Sequence, residues 1–484
     1  MRRTSEMTPL VPESTRLRRR FALRPTITHF LLLTIVGFSL LFVLVVHETW
    51  PISTVTNLKG TIKFDEVFCG PASHETGYLK LPNTDNDHYF YWFVESQTAP
   101  QKDPLVLWLT GGPGCSSLMA LLAENGPCRV QSDLSTVINP SAWNNQANVI
   151  WLDQPTGVGF SYGSEQDKDS TEVDVAENIY WFLQAFLKKH PDLNDREFFL
   201  TGESYGGHYV PATASHILKA NMLQHLHPNA SHINLAGITI GNGLTDPAVQ
   251  YQHSVDMAFN SYNVTLLQAE AIEGMRKAQP VCHELILKCQ RDHQVCADAM
   301  EFCFATLESP YYRSGRNPYD IRKPCVAENV MTCFHFEHIE EYLNTPRVLA
   351  DLGVNVHKSK PWQECDATVN ARFSFDEMQS SAGDVKFLLD AGVRVLIYAG
   401  DADLMCNWVG NQAWVMALDW SGKAAFNAAA NRQFQTPEIP DAGRVRTFEN
   451  LAFVRVFNSG HMVPMDQPVV SFQMVNKFLH NEEL

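Results

Sequence analysis

The feature that most constrains this 484-residue chain is the pentapeptide Gly-Glu-Ser-Tyr-Gly at residues 202–206. It fits the G-x-S-x-G pattern, in which a serine stands on a sharp turn between a strand and a helix. Residues 197–201 form a short apolar run that indicates a buried strand, and residues 210–218 can form a helix. The flanking glycines let the backbone turn sharply enough to lift the Ser204 hydroxyl clear of a sheet.

A glycine-rich loop follows another predicted strand. Residues 104–109 are apolar, and the sequence Thr-Gly-Gly-Pro-Gly-Cys-Ser-Ser occupies residues 110–117. The loop lacks the lysine of a phosphate-binding loop, whereas in a hydrolase such a loop supplies a backbone N–H to an oxyanion hole. Residues 148–153 predict a further strand, and residues 173–188 predict an amphipathic helix.

An acid and a histidine follow two strands predicted late in the chain. Residues 393–398 precede Asp401 and Asp403, and residues 451–457 precede His461. Serine, aspartate and histidine therefore occur in the order found in α/β-hydrolases. We predict Ser204 as the nucleophile and His461 as its base, while the pattern alone leaves Asp401 and Asp403 as alternatives for the acid.

The amino terminus has the character of a membrane anchor. Seven arginines stand among the first 24 residues, and an apolar segment follows at residues 27–46. About 20 residues suffice to cross a hydrocarbon core. The segment is longer than the apolar core of a cleaved signal peptide, which is the alternative, and no small-residue cleavage pattern follows it. We predict a basic cytosolic tail at 1–26, a transmembrane signal anchor at 27–46 and a linker at 47–64, with the remainder in the lumen.

Charge and cysteine content agree with a lumenal enzyme. The formal net charge of −16 argues against nucleic-acid binding. Asn229 and Asn263 begin Asn-x-Ser/Thr glycosylation acceptors. In an oxidising compartment, the eleven cysteines predict a disulfide framework with one odd thiol.

Cysteines spaced seven residues apart predict a helical insertion closed by its own disulfides. Zinc sites favour closer pairs, so the spacing does not suit a metal site. In an antiparallel helical hairpin that turns near residues 292–293, facing residues lie equally far before and after the turn. Cysteines that face each other therefore have residue numbers with the same sum. The nested pairs are Cys282–Cys303 and Cys289–Cys296. We place the insertion at about 255–350.

The chain resembles the serine carboxypeptidases, especially the fungal carboxypeptidase Y branch. The matching phrases lie at residues 108–117, 153–162, 202–209, 240–247, 398–408 and 460–464. They run in order from about residue 77 to the carboxyl terminus. The resemblance implies an α/β-hydrolase fold at 65–484: a central mixed, mostly parallel sheet with flanking helices and a helical insertion over the active site. It also implies release of carboxyl-terminal amino acids from peptides and proteins through an acyl-enzyme.

The resemblance also implies roles for particular residues. It favours Asp403 over Asp401 and assigns the oxyanion-hole N–H groups to Gly112 and Tyr205. The residues implied to bind the substrate's terminal carboxylate are Trp108, Thr110, Glu124 and Glu203. Two glutamates can hold an anion only when at least one is protonated, so we expect an acidic pH preference. The family has asparagine at position 110, and threonine offers one donor where asparagine offers two.

The remaining disulfide assignments also come from the resemblance. It pairs Cys115 with Cys365 and Cys325 with Cys333. Cys69 and Cys128 remain, and we pair them with each other. Cys406 is then the odd thiol, three residues past Asp403 and expected to line the site.

Two other functions share this scaffold: an acyltransferase with the same triad, and a non-catalytic binding protein. The second usually loses a triad residue, and all the candidates are present here. We expect no cofactor and no metal, because the sequence has no dinucleotide fingerprint and no His/Glu pair with zincin spacing. The expected partners are peptide or protein carboxyl termini and, through the amino-terminal helix, a membrane. The vacuole or lysosome is the expected location, with the Golgi and the cell surface as alternatives.

Overall fold

A ten-stranded sheet carries the segments that the sequence analysis identified. The computed structural model describes residues 69–70, 72–226, 229–325 and 333–484, all within the compact unit Thr61–Leu484. The strands are β1 His74–Lys80, β2 His88–Val94, β3 Leu105–Leu109, β4 Cys128–Val130, β5 Thr136–Ile138, β6 Asn148–Leu152, β7 Phe198–Glu203, β8 Leu235–Gly241, β9 Arg316–Asn317, β10 Asp320–Pro324, β11 Arg394–Gly400, β12 Arg432–Phe434, β13 Gly443–Phe448 and β14 Leu451–Val456. Ten of the strands in the described residues form this sheet, and β4–β5 and β9–β10 form two separate two-stranded sheets.

The helices that surround the sheet and form the insertion vary in length from one turn to several. They are α1 Ser117–Ala123, α2 Glu172–Lys189, α3 Gly206–Met222, α4 Pro247–Gln250, α5 Ala269–Cys289, α6 Cys296–Cys303, α7 Ser309–Tyr312, α8 Glu337–Leu343, α9 Pro346–Asp351, α10 Ala367–Arg372, α11 Ala382–Asp390, α12 Trp408–Ala417, α13 Lys423–Ala428, α14 Val463–Asp466 and α15 Pro468–Leu479.

The sheet is parallel at its centre and antiparallel at both edges. Its order is β1-β2-β6-β3-β7-β8-β11-β14-β13-β12. Strands β6, β3, β7, β8, β11 and β14 run parallel. In the register of neighbouring strands, Leu109 of β3 pairs with Gly202 of β7, and Glu203 of β7 pairs with Gly241 of β8. The carboxyl ends of β3, β7 and β8 therefore meet at one edge of the sheet, where ligands bind in open α/β sheets.

Helices cover both faces of this sheet, as the apolar strands require. Phe182 and Phe186 of α2 pack on one face together with residues of α3, α11 and α12. Leu118 of α1 and Met474 of α15 pack on the other face. Burial of a side chain such as Phe182 contributes about 1.5–3 kcal/mol to folding. The sheet and its flanking helices confirm the predicted α/β-hydrolase fold.

The stretch between β8 and β11 contains the predicted helical hairpin. Helices α5 and α6 are joined by residues 290–295, which include the predicted turn near 292–293. Ile286, Ala299 and Leu307 lie in the separate apolar core of this stretch. The β9–β10 pair follows, and helical segments continue as far as α11.

The described chain contains five disulfides, and they are the pairs expected from the sequence: Cys69–Cys128, Cys115–Cys365, Cys282–Cys303, Cys289–Cys296 and Cys325–Cys333. Cys406 is unpaired and buried. Among the described residues, no helix has the length and apolar character needed to span a membrane. The predicted anchor at residues 27–46 lies outside the described residues.

Candidate active site

Ser204 lies on a tight turn between β7 and α3. Its φ of +62° is in the left-handed region, which costs energy for a residue other than glycine. The surrounding backbone holds this conformation: the Ser204 N–H donates to the Gly241 carbonyl at 3.1 Å, and the Ser204 carbonyl accepts from Leu244 N at 2.9 Å. A Cβ on Gly202 would lie 2.7 Å from the Leu109 carbonyl oxygen, so the turn has no room for a larger residue there.

The glycine-rich loop after β3 touches this turn. A Cβ on Gly111 would lie 2.4 Å from the backbone nitrogen of Tyr205. Gly112, with a φ of +112°, lines the same cavity as Ser204 and Tyr205. The two residues expected to form the oxyanion hole therefore both lie next to Ser204.

Asp403 and His461 form a buried hydrogen-bonded pair. His461 Nδ1 lies 2.7 Å from Asp403 Oδ2, and the two side chains are 3% and 0% exposed. Asp403 Oδ2 also accepts from Asn242 Nδ2 at 2.8 Å and from Cys406 N at 3.1 Å. Because an ionised carboxylate only accepts, the shared proton belongs to His461 Nδ1, which leaves Nε2 as the basic nitrogen.

Asp401 has different partners, so the contacts decide between the two aspartates. Its Oδ2 accepts from Arg455 Nη2 at 3.0 Å, and its Oδ1 accepts from Asn458 N at 3.0 Å and from the Tyr262 hydroxyl. Asp401 therefore ties the loop after β11 to β14 and to the segment around Tyr262, and Asp403 is the aspartate paired with His461.

Tyr319, between β9 and β10, supports His461 from the insertion. The His461 N–H donates to the Tyr319 carbonyl at 2.7 Å. The two rings meet edge to face, with centroids 4.9 Å apart. Sequence reasoning identified neither Tyr319 nor Asn242 as a site residue. Asn242 could have been noticed, because it directly follows strand β8 within the family phrase at 240–247.

The four residues expected to bind the terminal carboxylate form two neighbouring pairs. Trp108 Nε1 donates to Thr110 Oγ1 at 2.9 Å, so the Thr110 hydroxyl keeps its own proton for another acceptor. Glu124 and Glu203 are almost completely buried, and they lie close enough for the charge of one to act on the other. Burial raises the pKa of Glu124 to about 8. Burial, followed by the charge of Glu124, raises the pKa of Glu203 well above its ordinary value.

Cys406 lines the cavity beside Ser204 and is 8% exposed. Burial and the charge of Asp403 raise the pKa of its thiol well above the ordinary value, so the uncharged thiol is favoured. The two predicted glycosylation acceptors, Asn229 and Asn263, are exposed. No metal-binding group of three or more His, Cys, Asp or Glu side chains occurs in the described ranges.

Comparison with known proteins agrees with this geometry. The serine carboxypeptidase family model matches residues 66–481. Carboxypeptidase Y of Candida albicans is 41% identical over 413 residues, which cover 84% of this chain and 73% of that protein. Serine carboxypeptidase 3 of Hordeum vulgare is 40% identical over 408 residues, covering 84% of this chain and 77% of the relative.

A solved structure extends the match to three dimensions. The prohormone-processing carboxypeptidase Kex1Δp of Saccharomyces cerevisiae superimposes with a TM-score of 0.72 and 26% identity. The match covers 85% of this chain and 92% of Kex1Δp. The resemblance inferred from the sequence is thereby confirmed: this chain belongs to the serine carboxypeptidase family and is a serine-type carboxypeptidase.

Proposed function

We propose that Ser204, His461 and Asp403 release carboxyl-terminal amino acids through an acyl-enzyme. Ser204 Oγ attacks the carbonyl carbon of the last peptide bond while His461 Nε2 takes its proton. The backbone N–H groups of Gly112 and Tyr205 stabilise the oxyanion. His461 then protonates the leaving amine as the C–N bond breaks. Water attacks the resulting ester, gives a proton to His461 and frees the peptide acid, and Ser204 recovers its proton.

The observation that carries this proposal is the buried contact between His461 Nδ1 and Asp403 Oδ2 at 2.7 Å. It fixes the imidazole tautomer that leaves Nε2 able to accept a proton. The oxyanion-hole candidates beside Ser204 supply a second part of the same mechanism.

Specificity for a free carboxyl terminus is assigned to Trp108, Thr110, Glu124 and Glu203. The raised pKa values support it, because a glutamic acid that keeps its proton at acidic pH can donate to the substrate's terminal carboxylate. The Thr110 hydroxyl adds a further donor. An internal peptide bond or an amidated terminus offers no such anion, so the site favours exopeptidase action at a pH low enough for the glutamic acids to keep their protons.

Labelling with a fluorophosphonate tests the triad. We expect the probe to modify the wild-type protein stoichiometrically at Ser204 and to leave Ser204→Ala unmodified. His461→Ala should label at least about 100-fold more slowly, because the serine then lacks its general base. Equal labelling of the wild-type protein and Ser204→Ala would show that another residue is the nucleophile and would reject the proposal.

An acyltransferase is the second candidate, because threonine replaces the family asparagine at position 110. The deciding experiment measures how the acyl-enzyme partitions between water and an added alcohol or amine. For a hydrolase, we expect mainly the free acid and a higher kcat/KM for peptides in Thr110→Asn, since asparagine brings a second donor. Predominant transfer to the added nucleophile would favour the acyltransferase.

For the cellular setting, we propose a type II membrane protein of the vacuole or lysosome, with its catalytic domain in the lumen. The basic segment followed by apolar residues 27–46 supports the orientation. The disulfides support an oxidising compartment. Exposed Asn229 and Asn263 are available for glycans.

A further inference from the structure

A cavity beside Ser204 carries two glutamates that the catalytic mechanism does not use. We call it the acyl-side pocket and define it by Ser204, Tyr205, Tyr251, Glu308, Glu377 and Cys406, all of which line it. Glu308 is the last residue of the short π-helix Phe304–Glu308, which follows α6. Glu377 comes from the segment between α10 and α11. The fold therefore brings the two carboxyl groups together from segments far apart in sequence.

The pocket is separate from the proposed carboxylate-binding residues. Trp108, Thr110, Glu124 and Glu203 do not line it, whereas Ser204 and the oxyanion-hole candidates do. A substrate whose terminal carboxylate occupies the first site places its last residue on that side of Ser204. The acyl-side pocket then faces the residue on the other side of the scissile bond, the penultimate residue of the peptide.

Among the residues that the structure describes, the two carboxyl groups have no cationic partner. No salt bridge joins Glu308 or Glu377 to any other residue within the described ranges. The Tyr251 hydroxyl lies beside Glu308 in the pocket. Burial raises the pKa of Glu308, and burial together with neighbouring Glu308 raises the pKa of Glu377 to about 7. A bound cation would relieve this repulsion and favour both ionised forms.

The other walls suit a long side chain with a charged end. Tyr205, Tyr251, Tyr311 and Tyr319 line the pocket and can pack against a methylene chain. Their rings can also attract a cation through their faces. Aromatic walls with two carboxyl groups match lysine or arginine better than an apolar side chain, which would leave the carboxyl groups desolvated and unpaired.

We propose that the acyl-side pocket selects peptides whose penultimate residue is lysine or arginine, and that Glu308 and Glu377 bind its cationic group. This inference rests on the proposed function, because it needs a substrate held at Ser204 by its terminal carboxylate.

The test compares matched N-blocked dipeptides at pH 6.5. Lysine and norleucine share their methylene chain and differ in the ammonium group, so blocked Lys-Leu and Nle-Leu isolate the effect of charge. We expect wild-type kcat/KM to be about tenfold or more higher for Lys-Leu, as for a hydrogen bond to a charged group. The reversed pair, Leu-Lys and Leu-Nle, should show a much smaller ratio, because the cation then lies on the leaving side.

Isosteric variants test whether Glu308 and Glu377 cause the preference for Lys-Leu over Nle-Leu. In Glu308→Gln and in Glu377→Gln, the Lys-Leu to Nle-Leu ratio should fall at least about threefold, and in the double variant it should fall to about one. Glu301→Gln is the matched control, because Glu301 is an exposed glutamate on α6 and should keep the wild-type ratio. A thermal melt of each variant checks that it folds. If a variant does not fold, the Lys-Leu to Nle-Leu ratio of the wild-type protein decides the test.

The possible failures are distinguishable. A wild-type ratio of one or less with normal hydrolysis of Nle-Leu would overturn the inference and leave the proposed function intact. A high ratio retained in the double variant would also overturn it. Absence of Ser204-dependent hydrolysis of every dipeptide would reject the proposed function and this inference together.

Discussion

At the scale of single residues, two aspartates separated by one position have different partners. Asp403 reaches His461 and Asn242, whereas Asp401 reaches Arg455 and Tyr262. Both follow β11 in a short loop, in which the two side chains reach different neighbours. Residue type and position could not separate them, because each is an acid just after a strand.

Substitution of each aspartate by asparagine should therefore have a different effect. We expect Asp403→Asn to lower kcat by roughly 10⁴-fold, because the amide no longer holds His461 in the productive tautomer. Asp401→Asn should mainly lower the free energy of unfolding, by about 2 kcal/mol, through the lost ionic hydrogen bond to Arg455. Steady-state kinetics and chemical denaturation measure the two effects. A larger loss of kcat in Asp401→Asn would contradict the assignment.

The paired glutamates predict a pH dependence of KM. Their raised pKa values mean that both carboxyl groups keep their protons at acidic pH and that Glu124 ionises as the pH rises past about 8. The negative pair then repels the substrate carboxylate, so KM for a blocked dipeptide should rise towards pH 9. Glu124→Gln should flatten this rise, because the neutral amide does not titrate, and exposed Glu301→Gln should retain it. A wild-type KM that is flat from pH 4.5 to 9 would reject this role.

At the scale of secondary-structure elements, short apolar runs between charged or glycine-rich segments predicted the central strands. Observed β3, β6, β7, β11 and β14 lie within a few residues of the predicted bounds. Helix α2, predicted at 173–188, spans Glu172–Lys189 and begins with a Thr171–Asp174 capping box. The edge strands β12 and β13 were not predicted, because their alternation is weak and they are strands through their pairing with each other and with β14.

The hairpin between α5 and α6 predicts a difference between its two disulfides. Cys282–Cys303 spans 21 residues and Cys289–Cys296 spans 7. Because a longer loop restricts the unfolded chain more, removing the outer bridge should cost about 3 kcal/mol, and removing the inner one about 1 kcal/mol less. Denaturation of the two double-alanine variants measures this difference. Equal losses would show that strain or residual structure outweighs loop entropy.

At the scale of the whole molecule, the sequence offers candidate site residues where they stand in recognisable motifs, but it does not indicate the residues that surround them. Ser204, Asp403 and His461 lie in loops after strands, where a motif and its order are readable. Tyr319, Glu308 and Glu377 lie in the insertion or between helices, and only the folded chain brings them near Ser204. No local periodicity in the sequence specifies such contacts.

The proposed topology predicts how the full chain behaves in microsomes. External protease should shorten it only by the basic tail, because the catalytic domain is enclosed. Endoglycosidase should lower its apparent mass, with one step lost in Asn229→Gln and another in Asn263→Gln, since both asparagines are exposed. Complete digestion without detergent, or no glycan on either residue, would contradict lumenal placement.

Mass spectrometry of a peptide incubated at pH 5 with the protein from residue 50 onward, with Ser204→Ala alongside, tests whether Ser204 removes residues from a free carboxyl terminus. For a peptide with a free carboxyl terminus, we expect a ladder of products shortened one residue at a time from that end. The amidated form of the same peptide should be cleaved far more slowly, and Ser204→Ala should leave both intact. Internal cleavage, equal cleavage of the amidated peptide or an active Ser204→Ala would contradict a serine nucleophile directed by recognition of the terminal carboxylate.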